Sequence, residues 1–401
     1  MAVVRPFRAL RPTSESAPRV AAVPYDVVTT DEARELASGN PLSFLHVSRA
    51  EIDLPPGTDP YGPEVYAKAA GNLQRIKEGA PLIIEEEPSL YLYRLAVGGH
   101  SQTGVAGAFS LDDYDRDVVR KHERTRRDKE DDRTRHIVTL RAQTGPVFLT
   151  YRARPSLDAI GARLCRAAPI FDFEAVDGVR HTVWQVAGIE ARTIADEFGT
   201  LDALYIADGH HRAASAARAR REVGSDAAQS FLAVAFPHDQ VRILPYNRVV
   251  RDLRGNTPEA LVASVRERFP VTDDGATPQR KGHVGIYVGG RWYTVDLGSR
   301  VAGKADSIRR LDVALLQEEL LAPLLGIGDV RTDSRIEFVG GLRGTRELER
   351  IVDSGRAAVG FSMYPVTIDD LMTVSDEGGI MPPKSTWFEP KLRDGLLSHV
   401  I

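Results

Sequence analysis

Ser89 to Val97 alternates apolar and polar positions and is rich in tyrosine, which predicts a strand. Gly98-Gly99 then offers a hairpin turn into Gln102 to Ser110. Upstream, Leu54 to Pro63 is dense in proline and glycine and reads as a loop. Ala67 to Glu78 reads as a helix, stopped by Gly79 and Pro81. Pro146 to Tyr151 reads as a short buried strand, Val183 to Val186 as another, and Ala191 to Phe198 as a helix. The sharpest local pattern is an apolar strand from Leu201 to Ala207, a tight turn at Asp208-Gly209 and an alanine-rich helix from His210 to Arg221. Phe231 to Pro237 is again strand-like. Past about residue 251 the pattern predicts a helix (Pro258 to Arg268), a hairpin (Val284 to Leu297 around Gly289-Gly290), strands at Arg335 to Val339 and Ala357 to Tyr364, and a helix from Ile368 to Ser375. Elements mixed in this way predict an α+β chain of mixed α/β layers. Three units are expected, over residues 1–115, 116–250 and 251–401.

Composition narrows the class. A chain of 401 residues has room for about two to three domains. Its 42% apolar and 27% charged residues suit a globular protein rather than a disordered one. No apolar run approaches the roughly 18 residues of a membrane span. Met1 to Pro12 holds three arginines and two prolines without an apolar core, so no secretory signal is expected. The single cysteine, Cys165, excludes an intrachain disulfide and fits a reducing, cytoplasmic setting. With 52 Lys and Arg against 56 Asp and Glu the net charge is −4, which makes no whole-chain case for nucleic acid as a partner.

Three stretches could carry chemistry. In Asp208-Gly209-His210-His211-Arg212 a strand ends, glycine turns the chain and a helix begins. The first helical turn exposes N–H groups and the positive dipole end, which suits an anion. Arg212 and the two histidines add donors there, and a planar guanidinium suits phosphate oxygens. Asp208 is placed to cap the helix, to position a cation or to orient a histidine. Simple capping by Asp208 and packing of the histidines is the plainer account, but packing alone explains this cluster poorly. A zinc site from His210, His211 and a carboxylate lacks the usual ligand spacing.

The second stretch, Arg120 to His136, holds eight Lys or Arg and five Asp or Glu in seventeen residues. Charge runs are usually solvated helix faces, and Asp131 with Arg135 sits at helical spacing. Within it, His122-Glu123 among arginines also suits an acid–base pair beside a polyanion. The third stretch is Pro382-Pro383-Lys384-Ser385-Thr386-Trp387-Phe388, where a cation and two hydroxyls follow two stiffening prolines. An ordinary tail anchored by Trp387 and Phe388 explains it as well. Val179-Arg180-His181-Thr182-Val183-Trp184 could line a pocket or be a strand with a surface histidine, and Pro24-Tyr25-Asp26 reads as a turn.

Several phrases together resemble one bacterial family of unknown function, DUF1015. They are Ala22 to Val27, Lys121 to Thr125, Lys129 to His136, Gln143 to Val147, Asp208 to Ala214 and Met381 to Lys391. The resemblance covers nearly the whole chain. The middle and the tail also resemble, more distantly, the ParB/sulfiredoxin-like free-serine kinases of archaea. Those carry an Asp-Gly-His-His-Arg motif after a strand, a His-Glu pair upstream and a Pro-Lys-Thr-Thr-like segment near the end. The order matches His122-Glu123, Asp208 to Arg212 and Pro383 to Thr386.

That resemblance implies a ParB/sulfiredoxin-like core in 116–250 and nucleotide-dependent phosphoryl transfer, with ATP or ADP as co-substrate and magnesium (Mg2+) bridging. It implies Glu123 as the base, with His122 beside it. Asp208 stands at the magnesium end, Gly209, His210, His211 and Arg212 at the phosphates, and Lys384, Ser385 and Thr386 complete the cradle. The substrate it points to is a small hydroxylated metabolite, free L-serine first, with either direction of transfer open. The alternative is a ParB-like DNA-binding or sensor module that binds nucleotide without catalysis. No helix-turn-helix pattern follows Arg212, which weighs against DNA. Residues 1–110 have no counterpart in the kinases, and the stretch from Glu123 to Asp208 is longer here.

Overall fold

The computed structural model describes residues 1–79, 82–301, 304 and 306–401. The chain divides into two compact units. The first is Met1–Val241 with Pro390–Ile401, and the second, Arg242–Glu389, is inserted between those two pieces. The architecture is mixed α/β, as the pattern predicts.

The first unit is built on a nine-stranded sheet. Its strands are β1 (Val4–Arg5), β2 (Leu90–Val97), β3 (His100–Ser110), β4 (Val119–Arg120), β5 (Val147–Tyr151), β6 (Phe171–Glu174), β7 (Arg180–Val186), β8 (Leu204–Asp208) and β9 (Ser230–Pro237). They lie in the order β4-β8-β5-β9-β3-β2-β7-β6, with β1 beside β3. Residues 1–115 and 116–241 therefore share one sheet, because β3 pairs with β9, and the observed division is into two units rather than three. β9 is buried along its whole length, as its continuous apolar run Phe231 to Phe236 requires of a central strand. Phe109, Leu149, Phe198, Ile206 and Phe231 meet in the core on this sheet. A second core, with Phe44, Leu45, Leu73 and Ile76, lies under helices from the first 80 residues and the end of the charged stretch.

Four helices matter in this unit: α1 (Pro63–Gly79), α2 (Arg127–Leu140), α3 (Gly188–Phe198) and α4 (His210–Val223). α1 starts earlier than the pattern predicts, since Pro63 is tolerated in a first turn. The predicted stop at Pro81 lies outside the described residues. The charged stretch is not one helix: Val119–Arg120 is a strand, 121–126 is irregular, and α2 begins only at Arg127. Its polar face is not fully solvated either. Asp131 bonds Arg218 on α4 rather than pairing with Arg135, and Arg218 Nη1 also reaches Glu130 Oε2 at 3.3 Å, because α2 packs on α4. α4 is rich in alanine, and Ala213, Ala214, Ala216 and Ala219 are buried, so small side chains let it lie close to its neighbours. It ends at Gly224 in the left-handed conformation, φ 69°, a common helix stop.

The second unit holds a six-stranded sheet of β10 (Tyr246–Val250), β11 (Val271–Thr272), β12 (His283–Val288), β13 (Arg291–Asp296), β14 (Ile336–Gly340) and β15 (Val359–Met363). The order is β11-β13-β12-β15-β10-β14. Trp387–Glu389 is a short strand paired with Arg242–Leu244, so the aromatic tail residues do act as an anchor within this unit. Phe388 is fully buried there.

Candidate functional site

Strand register brings three of the sequence phrases to one end of the sheet. β4 runs parallel to β8, with Val119 opposite Leu204 and Arg120 opposite Tyr205. His122 and Glu123 therefore leave the sheet where Asp208 and Gly209 do. β5 runs antiparallel to β8, with Phe148 opposite Asp208, which sets Gly145 and Pro146 at the same end. The register shifts between Ile206 and Asp208, an irregularity that re-aims the last side chain of the strand.

Gly209 then makes the turn into α4 with φ 94°. A Cβ there would stand 3.1 Å from Arg212 Nε and 3.5 Å from the Val147 Cα, so both the conformation and the space call for glycine. Gly209 is the N-cap and receives no side-chain cap, and no acidic residue stands in the first turn. Asp208 is thus not the cap that sequence reasoning allowed. Its Oδ2 instead accepts a hydrogen bond from Lys391 Nζ at 3.1 Å, across 183 residues of chain. Burial would raise the Asp208 pKa, but Lys391 and Arg212 outweigh it and hold the carboxyl well below the usual range.

Arg212 is 8% exposed. Its Nη1 donates to the Pro146 carbonyl, and its Nη2 stands 3.6 Å from both Asp26 and Asp208. Burial alone would depress its pKa, yet Asp26, Asp208 and Asp394 more than reverse that. Asp394 is buried on the strand-like contact Ala22–Asp394, and burial pushes its carboxyl up to about 7.

The two histidines serve differently from the donors expected. His210 Nε2 accepts the His122 backbone N–H at 3.3 Å, and His211 Nε2 accepts the Arg126 backbone N–H at 3.0 Å. Both therefore clip the 121–126 segment onto the start of α4. Burial drives the His210 pKa well down and His122 to about 4, so these two imidazoles are neutral at pH 7. The His122 ring stands edge-on to His210 at 4.4 Å and is itself buried. Glu123, by contrast, is half exposed, with Oε2 3.9 Å from His210 Nδ1. Since Nε2 of neutral His210 is an acceptor, its proton lies on Nδ1, facing Glu123.

Lys384, Ser385 and Thr386 belong to the second unit. There Lys384 has φ 57°, with Nζ 5.4 Å from the Tyr246 ring, and Ser385 Oγ donates to the Pro382 carbonyl at 2.6 Å. The lysine that the structure does put on Asp208 is Lys391. Sequence reasoning took Tyr25 and Asp26 for a turn and Arg133 for part of a charge run, and gave neither them nor Asp394 a place at the site. The first three lie inside the phrases shared with the family, which was the signal available. His181, read as pocket-lining or exposed, is a fully buried core residue bonded to the Tyr93 hydroxyl at 2.9 Å.

Among the described residues no group of three His, Cys, Asp or Glu side chains is placed to hold a metal. Asp208 is already paired with cations, so the donor set does not fit a resident metal ion. No helix among the described residues is long and apolar enough to cross a membrane.

The family model described as "Protein of unknown function (DUF1015)" matches residues 4–314. No curated protein matches the chain in sequence. Among solved structures, a free serine kinase mutant in complex with AMP is 12% identical, with TM-score 0.37, over 72% of this chain and 92% of that one. SbnI with C-terminal truncation, from Staphylococcus aureus, is 12% identical with TM-score 0.39, over 72% and 85%. A conserved hypothetical protein from Pyrococcus furiosus is 15% identical with TM-score 0.35, over 73% and 94%.

Proposed function

The chain belongs to the DUF1015 family, and we propose that this member binds a nucleotide by its phosphates at the amino end of α4 and transfers a phosphoryl group to or from a small hydroxylated metabolite, free L-serine first. The supporting observation is that uncapped amino end, with two fixed cations, Arg212 and Lys391, on the aspartate just before it. Free first-turn amides and such cations suit phosphate oxygens. ATP or ADP is the co-substrate. Magnesium would arrive with the phosphates, which supply the oxygen ligands that the protein does not, and would spread the charge of the transferring group.

Glu123 is the base. The hydroxyl oxygen forms the new bond to the terminal phosphorus, the bond to the nucleotide breaks, and the hydroxyl proton passes to Glu123. His210 Nδ1–H faces that carboxylate at 3.9 Å, and His211 holds the segment that carries it. Calorimetry tests the phosphate end. Lys391→Ala should lose about tenfold or more in nucleotide affinity, as the loss of one charge-assisted contact implies, while Glu123→Gln keeps it. A folded Lys391→Ala protein with unchanged affinity would remove Lys391 from the site. Nucleotide affinity without transfer to any hydroxyl compound would make the site a sensor instead.

A further inference from the structure

Beside Arg212 the first unit holds a cavity of about 40 Å³, with Tyr25, Arg133, Arg212 and Asp394 in its lining. A single water needs about 10–15 Å³ on this measure, so the space exceeds one water. Ile137, Phe231 and Leu232 add apolar surface to a lining that also carries the polar side chains of His136, Gln143 and Thr144. The wall carries both signs of charge. Asp394 is 2% exposed, and its Oδ1 accepts no hydrogen bond among the described residues. Arg212 Nε, also buried, donates none there. An unmet polar group in an interior is costly, so a donor and an acceptor on residues lining one cavity call for a ligand that satisfies both. Arg133 is a second cation on this wall, held 4.1 Å from the Tyr25 ring and bonded to Asp132 at 2.8 Å. Gly145 leaves room for the acid: a Cβ there would stand 2.7 Å from Asp394 Oδ1.

We propose that this cavity is a subsite for a small zwitterionic amino acid, its carboxylate taken by Arg212 and Arg133 and its ammonium by Asp394. The elevated pKa of Asp394 agrees with this, since an ammonium beside it would restore a charge that burial now disfavours. The inference rests on the phosphoryl-transfer reading only for the choice of L-serine as probe.

The test is calorimetry on the full chain at pH 8, without nucleotide, using L-serine, L-glycerate (no ammonium) and ethanolamine (no carboxylate). L-serine should bind, and each of the other two at least about tenfold more weakly, the loss expected when one charge-assisted contact is missing. Asp394→Asn should weaken L-serine by a similar factor and leave L-glycerate unchanged. No binding of L-serine to wild type, equal binding of all three compounds, or unaltered L-serine affinity in a folded Asp394→Asn protein would overturn the proposal and leave the cavity to ordered water. The wild-type series decides even if the variant does not fold. Serine binding without transfer keeps the subsite and loses the reaction. Transfer to another hydroxyl compound without serine binding does the reverse.

Discussion

Arg212 and Arg248 are both buried guanidinium groups, one in each unit, and they stand in opposite surroundings. Arg212 Nη1 donates to the Pro146 carbonyl, two carboxylates stand at 3.6 Å from Nη2, beyond hydrogen-bond reach, Nε has no partner among the described residues, and the pKa is held above the usual arginine value. Arg248 is held by two carbonyls: Nη1 donates to Tyr246 and Nη2 to Lys384 at 3.2 Å, and the Phe338 ring lies 5.5 Å away. Burial pushes it down to about 10. Arg248 is fitted to its own backbone and ties the tail segment to β10. Arg212 is charged, anchored through one nitrogen and next to unmet hydrogen-bonding groups, the surroundings expected of a binding group.

The contrast can be broken by substitution. Arg212→Met removes the cation shared by Asp26, Asp208 and Asp394, leaving Asp208 with Lys391 alone. Urea unfolding should show a loss of roughly 3–5 kcal/mol, the usual cost of stranding buried charge. A loss under about 1 kcal/mol would mean that these carboxylates find water or each other's protons, and that Arg212 is no keystone.

Asp394 sharpens the comparison through pH. Its folded pKa, about 7, lies above the ordinary aspartate value, so the folded chain keeps a proton that the unfolded chain has lost. The stability from that proton is full below about pH 4 and is lost as pH rises through about 7. Buried His122 and His136, pushed down to about 4, give the opposite slope. The quantity to read is thus the difference between wild type and Asp394→Asn. Wild type should lose a few kcal/mol relative to the variant between about pH 4 and 8, by the linkage of a shift of this size. A difference independent of pH would show that Asp394 is ionised throughout.

Arg248→Met should cost least, about 1–2 kcal/mol, since it strands two carbonyls and no carboxylate. A loss as large as that of Arg212→Met would erase the distinction between the two arginines.

Local pattern made much of the fold legible. The hairpin over Leu90–Val97 and His100–Ser110, and the strand–turn–helix around Asp208-Gly209, stand where the pattern puts them, because their alternation and glycines act over a few residues. The charged stretch did not read correctly: a strand at Val119–Arg120 is too short to show a period, and Asp131 chose a partner on α4 that no spacing announces. The same holds at the site. Asp208 to Arg212 was visible as a unit, whereas Lys391 reaches Asp208 across 183 residues and Asp26 meets Arg212 from the other end of the chain. Lys384 drew attention because it stands next to two hydroxyls, but the structure packs it beside Tyr246 within the second unit. Sequence adjacency marks where chemistry is concentrated, and only strand register and helix packing decide which distant groups join it.

The central claim is that Glu123, set against neutral His210, takes a proton during phosphoryl transfer to a small hydroxyl compound. Phosphorus NMR of the full chain with Mg2+, ATP or ADP, and L-serine tests it most directly. The account predicts a growing phosphomonoester resonance in wild type. In Glu123→Gln its rate should fall by roughly 10²–10⁴-fold, the usual effect of losing a general base, with an unchanged melting temperature because Glu123 is half exposed. No phosphomonoester in wild type, or the same rate in Glu123→Gln, would contradict it.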